Sequence, residues 1–412
     1  MPLLRIAWRN IGRNKRRSLL SALAVAFAVA VLTFAMALQQ GSYADMIYQT
    51  VHARTGHLQV QHPDYWPDAD LTKRLKQPGE ILNALEAMPA VLASAPRIQA
   101  AALVGTEENT FGALIQGIDP ARERETSTLA NMVREGKFLE TNDRDGALLG
   151  AGLAKNLGVE LGDEIVFIGQ GADGSLAAGR LIVRGITRMG IAELDRTAVT
   201  AHVDRIGEAY SMRGAVTEIA VLLQGNEEQD AAESGIEATL QAMGVGSDAR
   251  VVPWTTLMPG IEQSIKLDWY SGQIIYFVLV LVVGFGIANT FLMAYLERLR
   301  ELGVILALGM RPRGVALMVY AESVFLTLMG DLAGLAIGIP VVQFFHRKGI
   351  YFGKEAEEIM AEYGMSATIH PALSPLVIRL AVLIVGGVAL VLALYPACKA
   401  SRLAPLDGMR RG

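Results

Sequence analysis

Residues 274–310 read IIYFVLVLVVGFGIANTFLMAYLERLRELGVILALGM, and the break inside them decides the architecture. Ile274–Leu296 is twenty-three residues without a charge; Glu297, Arg298, Arg300 and Glu301 then arrive within five. About twenty apolar residues at 1.5 Å rise cross the ~30 Å hydrocarbon core of a bilayer. Short of a closed barrel, only a helix satisfies its own backbone there. The stretch therefore predicts a membrane helix that stops at a polar boundary and continues as a charged amphipathic segment. Leu299, Leu302, Ile305 and Leu306 share one face of that segment, and Glu297, Arg300 and Glu301 share another. Such a face at a membrane boundary suits docking of a partner; an ordinary solvated turn is the plainer reading.

Three further runs resemble the first. Leu19–Leu38 has no charge, Val315–Phe345 is interrupted by Glu322 and Asp331, and Leu376–Ala397 carries Arg379. The expectation is four transmembrane helices at 18–40, 271–296, 315–345 and 376–397. Residues 1–17 hold six basic residues and no acid, which places the amphipathic N-terminal segment in the cytoplasm. A cleaved secretory signal with Ala35-Met36-Ala37 as cleavage site is the rival, but the apolar run exceeds the roughly 7–15 residues of a signal core. Alternation puts 41–270 outside, 297–314 inside, 346–375 outside and the tail 398–412 inside. The inside segments are basic (Arg311, Arg313, Lys399, Arg402, Arg410, Arg411). The outer loop is acidic (Glu355, Glu357, Glu358, Glu362).

Composition agrees with a half-membrane chain. Hydrophobic residues make up 52 % and charged residues 19 %, against averages of roughly 45–50 % and about 25 % for soluble proteins. A net charge of −4 argues against a nucleic-acid binder. The single cysteine, Cys398, excludes an internal disulfide and a cysteine zinc site. Segment 41–270 alternates short β-rich runs (57–61, 113–118, 164–169, 181–186, 199–203, 218–223) with helical spacing at 80–88 and 227–243, an α+β pattern. Gly150–Gly158 reads as a short helix and turn leading to a strand. Its Gly-X-Gly lacks the third glycine of a dinucleotide loop, and no Gly-X4-Gly-Lys-Ser/Thr or Gly-X-Ser-X-Gly occurs. His52, His57 and His62, five apart, suit neither face of a helix nor a strand; exposed loop and edge positions are expected for them and for His202, His346 and His370, with a metal site as the minor alternative.

These residues carry a resemblance. Glu297, Arg298, Arg300, Glu301, Gly303, Ala307, Leu308 and Gly309 resemble the Glu-Arg-X-Arg-Glu…Gly…Ala-Leu-Gly stretch of the MacB/FtsX/Lol-type ABC permeases. The tail Tyr395-Pro396-Ala397…Ala400…Arg402…Pro405 and the opening Ala7-Trp8-Arg9-Asn10…Arg17 are similar to that family's ends. Thr55–Val60, Gln116–Pro120, Glu135–Phe138, Gly150–Asp163 and Val183–Arg196 resemble the lipoprotein-releasing (LolC/LolE-like) branch. The resemblance covers essentially the whole chain. Asp331 departs from it, since the third helix is usually glycine-rich and uncharged there. The resemblance implies an outer domain of two lobes, an α/β lobe at about 50–110 and 215–255 and a β-rich inserted lobe at about 111–214. It also implies that the eight matched residues of 297–309 contact a cytoplasmic ABC ATPase dimer, which would hold the ATP and magnesium.

In the membrane, Gly330, Gly334 and Gly338 form a small-residue stripe for close helix packing, and Pro340 is a candidate kink. Asp331, costing about 2.5–3.5 kcal/mol on insertion scales, should face protein or water, as a polar contact or a gate. Glu322 is expected to pair with Arg311 or Arg313. Met36, Gln40, Tyr43, Met46, Ile274 and Phe277 are candidates to contact an amphiphilic cargo between helices one and two of paired subunits; an aromatic belt at the interface is the plainer reading. The expected protein is a bacterial inner-membrane permease subunit without an ATPase of its own. A separate ATPase would drive mechanotransmission and release of a lipoprotein or other amphiphile. A second permease subunit, membrane lipids and a periplasmic acceptor complete the expected partners. The rivals are an FtsX-like signalling subunit controlling a cell-wall hydrolase and a MacB-like drug or peptide exporter.

Overall fold

The computed structural model describes residues 2–13, 15–189, 192–225, 229–356 and 368–403. The acidic run 357–362 and the basic residues Arg410 and Arg411 lie outside the described residues. The chain divides into two compact units, one formed by 1–44, 264–351 and 368–412 and the other by 45–263 and 352–367.

The first unit is helical. Its helices are α1 (Pro2–Arg13), α2 (Lys15–Thr50), α3 (Pro259–Leu296), α4 (Leu299–Ala307), α5 (Pro312–Lys348) and α6 (Pro375–Ser401). Four of these, α2, α3, α5 and α6, are long and apolar enough to cross a membrane. α2 runs twelve residues past Leu38, and α3 begins fifteen before Ile274, so both spans continue as helix beyond their apolar runs. Val25, Val29 and Leu32 of α2 pack with Ile287 and Phe291 of α3 and Ala381, Val385 and Ala389 of α6. α5 remains one helix through Pro340.

The second unit is built on one ten-stranded mixed sheet in the order β10-β1-β9-β2-β3-β8-β5-β7-β4, with β6 bridging β2 and β7. The strands are β1 (Leu58–Gln61), β2 (Val91–Gly105), β3 (Thr110–Ile118), β4 (Val133–Gly136), β5 (Gly146–Gly150), β6 (Glu164–Gln170), β7 (Leu176–Thr187), β8 (Ala198–His202), β9 (Glu218–Leu223) and β10 (Arg250–Pro253). Only β3–β8 and β5–β7 are parallel. β2 is the spine. Its first half pairs with β9 and its second with β3 and β6, so the flanking and inserted segments share one sheet. They also share one core, which reaches from Leu58 and Val60 to Phe167 and Leu181. Gly56 turns the chain into β1 with φ +71°, and a Cβ there would lie 2.7 Å from the Val221 carbonyl oxygen.

The short runs expected as strands appear as β1, β3, β6, β7, β8 and β9. β2 was hidden. Its sequence VLASAPRIQAAALVG contains a proline and an arginine, and residues 94–98 are buried in succession, which erases the period-two pattern. Two histidines correct the expectation of exposure. His57 is 3 % exposed and its Nδ1 accepts the Leu223 N–H at 3.1 Å; His202 is 5 % exposed with Nε2 3.1 Å from the Thr141 carbonyl oxygen. Each buried ring meets a backbone group, the Leu223 N–H at the end of β9 and the Thr141 carbonyl in the loop before β5.

Candidate functional site

The site begins where α3 stops. Glu297 and Arg298 interrupt the helix, and α4 restarts with the Leu302 N–H donating to the Arg298 carbonyl oxygen at 2.9 Å. α4 closes at Gly309, whose φ of +99° reverses the chain at little steric cost, and Pro312 opens α5 at its first turn.

Arg298 turns inward. Its guanidinium donates to Glu301 Oε2 at 3.1 Å and to Glu322 Oε2 of α5. Asn10 Nδ2 of α1 donates to the other Glu322 oxygen at 2.6 Å, and Arg13 lies 4.0 Å from Glu301 Oε1. One carboxylate thus links α1, the α3–α4 junction and α5. This corrects the expected Glu322 partners, Arg311 and Arg313. The inward fork of Arg298 reaches Glu322 across the helix pair, whereas Arg311 and Arg313 are exposed at the start of α5. Beneath the network Tyr295, Leu302 and Leu306 pack with Val315, Met318 and Ala400. Gly303 is buried on the same side.

The opposite face of α4 is open. Glu297, Arg300, Glu301, Val304, Ala307, Leu308 and Gly309 are exposed, Leu308 at 83 %. Of the eight residues singled out in this segment, five face outward, Glu301 is exposed but tied to Arg298, and two, Arg298 and Gly303, are buried against the bundle. Burying Leu308 against a partner would be favourable at about 25 cal/mol per Å² of apolar surface.

The other singled-out residues separate. Ile274 and Phe277 are each 67 % exposed on α3. Gln40 accepts from the Ser374 hydroxyl at 2.9 Å, and the Tyr43 hydroxyl donates to Asp268 Oδ2 at 2.7 Å. Met36 is half-buried against the bundle cores, and Met46 is half-buried in the soluble unit. The six are therefore spread over several surroundings. The glycine stripe meets α2: a Cβ on Gly330 would lie 2.5 Å from Val25 Cβ, one on Gly334 2.7 Å from the Ala26 oxygen, and one on Gly338 3.2 Å from Ala30 Cα. Asp331 is 6 % exposed and sits against Gly386 of α6, where a Cβ would lie 2.9 Å from Asp331 Oδ2.

Sequence reasoning missed Asn10, and it missed the buried cluster of Arg97, Glu123 and Glu218 in the soluble unit. The available signal for the second was an arginine inside an apolar run. Arg97 donates to Glu123 at 3.0 and 2.7 Å, and it lies 4.0 Å from Glu218.

Comparison with known families decides the affiliation. Residues 18–239 match the MacB-like periplasmic core domain, and residues 273–405 match the FtsX-like permease C-terminal domain. The chain belongs to the MacB/FtsX-like permease family. It is 22 % identical over 405 residues to the lipoprotein-releasing system transmembrane protein LolC of Neisseria meningitidis serogroup B, covering 94 % of this permease and 92 % of that one. It is 26 % identical to the macrolide export ATP-binding/permease protein MacB of Hyphomonas neptunium, covering 98 % of this chain and 60 % of that longer protein. Among solved structures it resembles the extracellular domain of the ABC-type transporter YknZ (TM-score 0.36, 12 % identity, 47 % of this chain and 98 % of that one). It also resembles the periplasmic region of MacB from Actinobacillus actinomycetemcomitans (TM-score 0.39, 13 % identity, 52 % and 94 %). The permease is thus a subunit of the LolC/MacB/FtsX type of ABC transporter, a class whose members work with ATPase partners. Its four apolar helices, the match to the MacB-like periplasmic core domain and the likeness to LolC mark an inner-membrane protein with a periplasmic domain.

Proposed function

We propose that this permease relays ATP-driven motion of a separate cytoplasmic ATPase dimer to its periplasmic domain, to extract a lipoprotein or other amphiphile from the inner membrane. The carrying observation is α4, a helix fixed to the bundle by Arg298 and Glu322 on one side and open at Arg300, Val304 and Leu308 on the other. A lever needs both features. The open face receives the ATPase, and the inward ion pair passes its displacement to α1 and α5 rather than letting α4 slip. The ATPase would carry ATP and magnesium, because this chain has no phosphate-binding loop. α2 and α3 lead as unbroken helices out of the membrane, so rigid-body movement is the form the relay would take. A second permease subunit would match the two-fold ATPase, with both termini cytoplasmic. Extraction of an amphiphile is favoured by likeness to LolC over most of both chains.

The test is to substitute the open face alone. Arg300→Glu with Leu308→Asp should abolish copurification of the ATPase and the stimulation of its turnover by permease, while abundance in the membrane stays normal. Undiminished stimulation by the double variant would sink the docking role of α4. Mass spectrometry of lipids and proteins retained by the wild-type complex identifies the cargo; a bound cell-wall hydrolase without lipidated protein would favour the signalling alternative.

A further inference from the structure

The soluble unit holds a half-open cavity of about 90 Å³ whose walls combine Gln59, Gln61, Tyr65, Trp66 and Glu218 with the apolar side chains of Ala69, Leu257 and Met258. It lies where the chain enters and leaves this unit. Thr55, which also lines it, ends the π-helical turn following α2, and Met258, on its wall, directly precedes the first residue of α3. Protein interiors are normally packed shut. This one keeps an opening in whose largely apolar walls amides, hydroxyls and a carboxylate are set, and Gln59, Gln61, Tyr65 and Glu218 are each no more than 3 % exposed.

The polar groups of these walls leave a remainder. Gln59 donates to the Thr55 carbonyl oxygen at 3.0 Å, and Gln61 donates to Gln59 Oε1. Gln61 Oε1 and the Tyr65 hydroxyl are then buried with no hydrogen-bond partner among the described residues. The Thr217 hydroxyl nearby is engaged with the Arg97 carbonyl oxygen and the Gln99 N–H. Buried polar atoms are rarely left so, because desolvation is then uncompensated. The charge also has a sign. Arg97 is held by both Glu123 and Glu218, so one cation stands against two carboxylates. Burial, and after it the charge of Glu218, pushes the Tyr65 hydroxyl above its ordinary range, which keeps it neutral.

A guest that answers all of this is a small cation bearing N–H donors. We propose that the cavity binds a primary ammonium group, as found on an ethanolamine lipid headgroup or a free alkylamine. Three N–H donors match the acceptors on its walls: Gln61 Oε1, the Tyr65 oxygen and the Glu218 carboxylate, which also accepts from Gln99 Nε2 at 3.4 Å and faces Arg97. Trp66 supplies an aromatic wall for the cation. The volume exceeds the roughly 10–15 Å³ that one water needs and falls well below the roughly 300–1,000 Å³ of a drug-sized pocket, which limits the guest to a few heavy atoms. A ligand here would touch both the segment that follows α2 and the residue that precedes α3, tying the two together within the soluble unit. Such binding would depend neither on the cargo nor on ATPase docking.

The experiment uses full-length permease in phosphatidylcholine nanodiscs and ethylammonium chloride as probe, read by calorimetry and by tryptophan fluorescence. Saturable binding is expected for ethylammonium and not for tetramethylammonium or potassium at equal ionic strength. Gln61→Leu and Tyr65→Phe should each weaken it by about tenfold, the effect of losing one charge-assisted hydrogen bond. Both leave the Arg97 cluster intact, whereas Glu218→Gln risks unfolding; circular dichroism verifies that the variants are folded. Equal binding of potassium or tetramethylammonium, absence of ethylammonium binding, or unchanged affinity in folded Gln61→Leu overturns the proposal. Repeating the titration in phosphatidylethanolamine nanodiscs separates the sources. Suppressed binding of the probe supports a headgroup occupant, and undiminished binding supports a soluble amine.

Discussion

Arg97 is buried more completely than any other charged side chain of its size here, at 1 % exposure. Burial alone would lower its pKa, but Glu123 and then Glu218 more than offset this, so the net direction is upward and the guanidinium stays charged. Removing it strands two buried carboxylates. Arg97→Met should therefore cost about 3–5 kcal/mol, seen as a large fall in melting temperature of the soluble unit. Glu123→Gln should cost less, since Glu218 still faces the arginine. The cluster could not be read from the chain: Glu123 is 26 residues from Arg97 and Glu218 lies on another strand. Asp331 differs, because its oddity was plain in an apolar run; only the structure showed that Gly386 makes room for it and that its Oδ1 has no hydrogen-bond partner among the described residues. Asp331→Asn should hold or raise the melting temperature in detergent, since an acidic side chain of the kind that costs about 2.5–3.5 kcal/mol on insertion scales is replaced by a neutral amide. A drop in stability would show that the negative charge itself is needed.

Among elements, α2 and α5 depend most on what is missing from their side chains. Gly330 and Gly334 let the helices approach until backbone and Val25 or Val29 touch. Gly330→Val should destabilise the bundle by about 1–3 kcal/mol through overpacking. Gly286→Val on α3, where a Cβ meets nothing within 4 Å, serves as the control; equal effects of the two would refute the close approach, with thermal melting in detergent as readout. The stripe was legible because its period of four is local, but its partner was not. The same holds for α4. Its amphipathic pattern was visible in the sequence, and the inward turn of Arg298 was not, because Glu322 lies a helix away. β2 was the element least legible, since burial on both faces removes alternation.

At the scale of the whole molecule the chain is two units with separate cores. Residues 45–263 expressed alone should be soluble and fold cooperatively, and reductant should not shift their melting temperature, because the one cysteine, Cys398, lies outside them. A fragment that aggregates or melts without a transition would show that this core depends on the helices. Sequence by itself determined the four spans, the basic and acidic sorting of the segments between them, and the kind of domain they carry. Each of these rests on local quantities: twenty uncharged residues, charges beside them, alternation over half a dozen positions. Tertiary structure alone decided the single sheet through β2, the burial of His57 and His202, the Arg298–Glu322–Asn10 anchor and the cavity beside Gln61 and Tyr65. These depend on residues dozens to hundreds of positions apart. A side chain's pattern states how much of it is buried, but only the closed fold states against what.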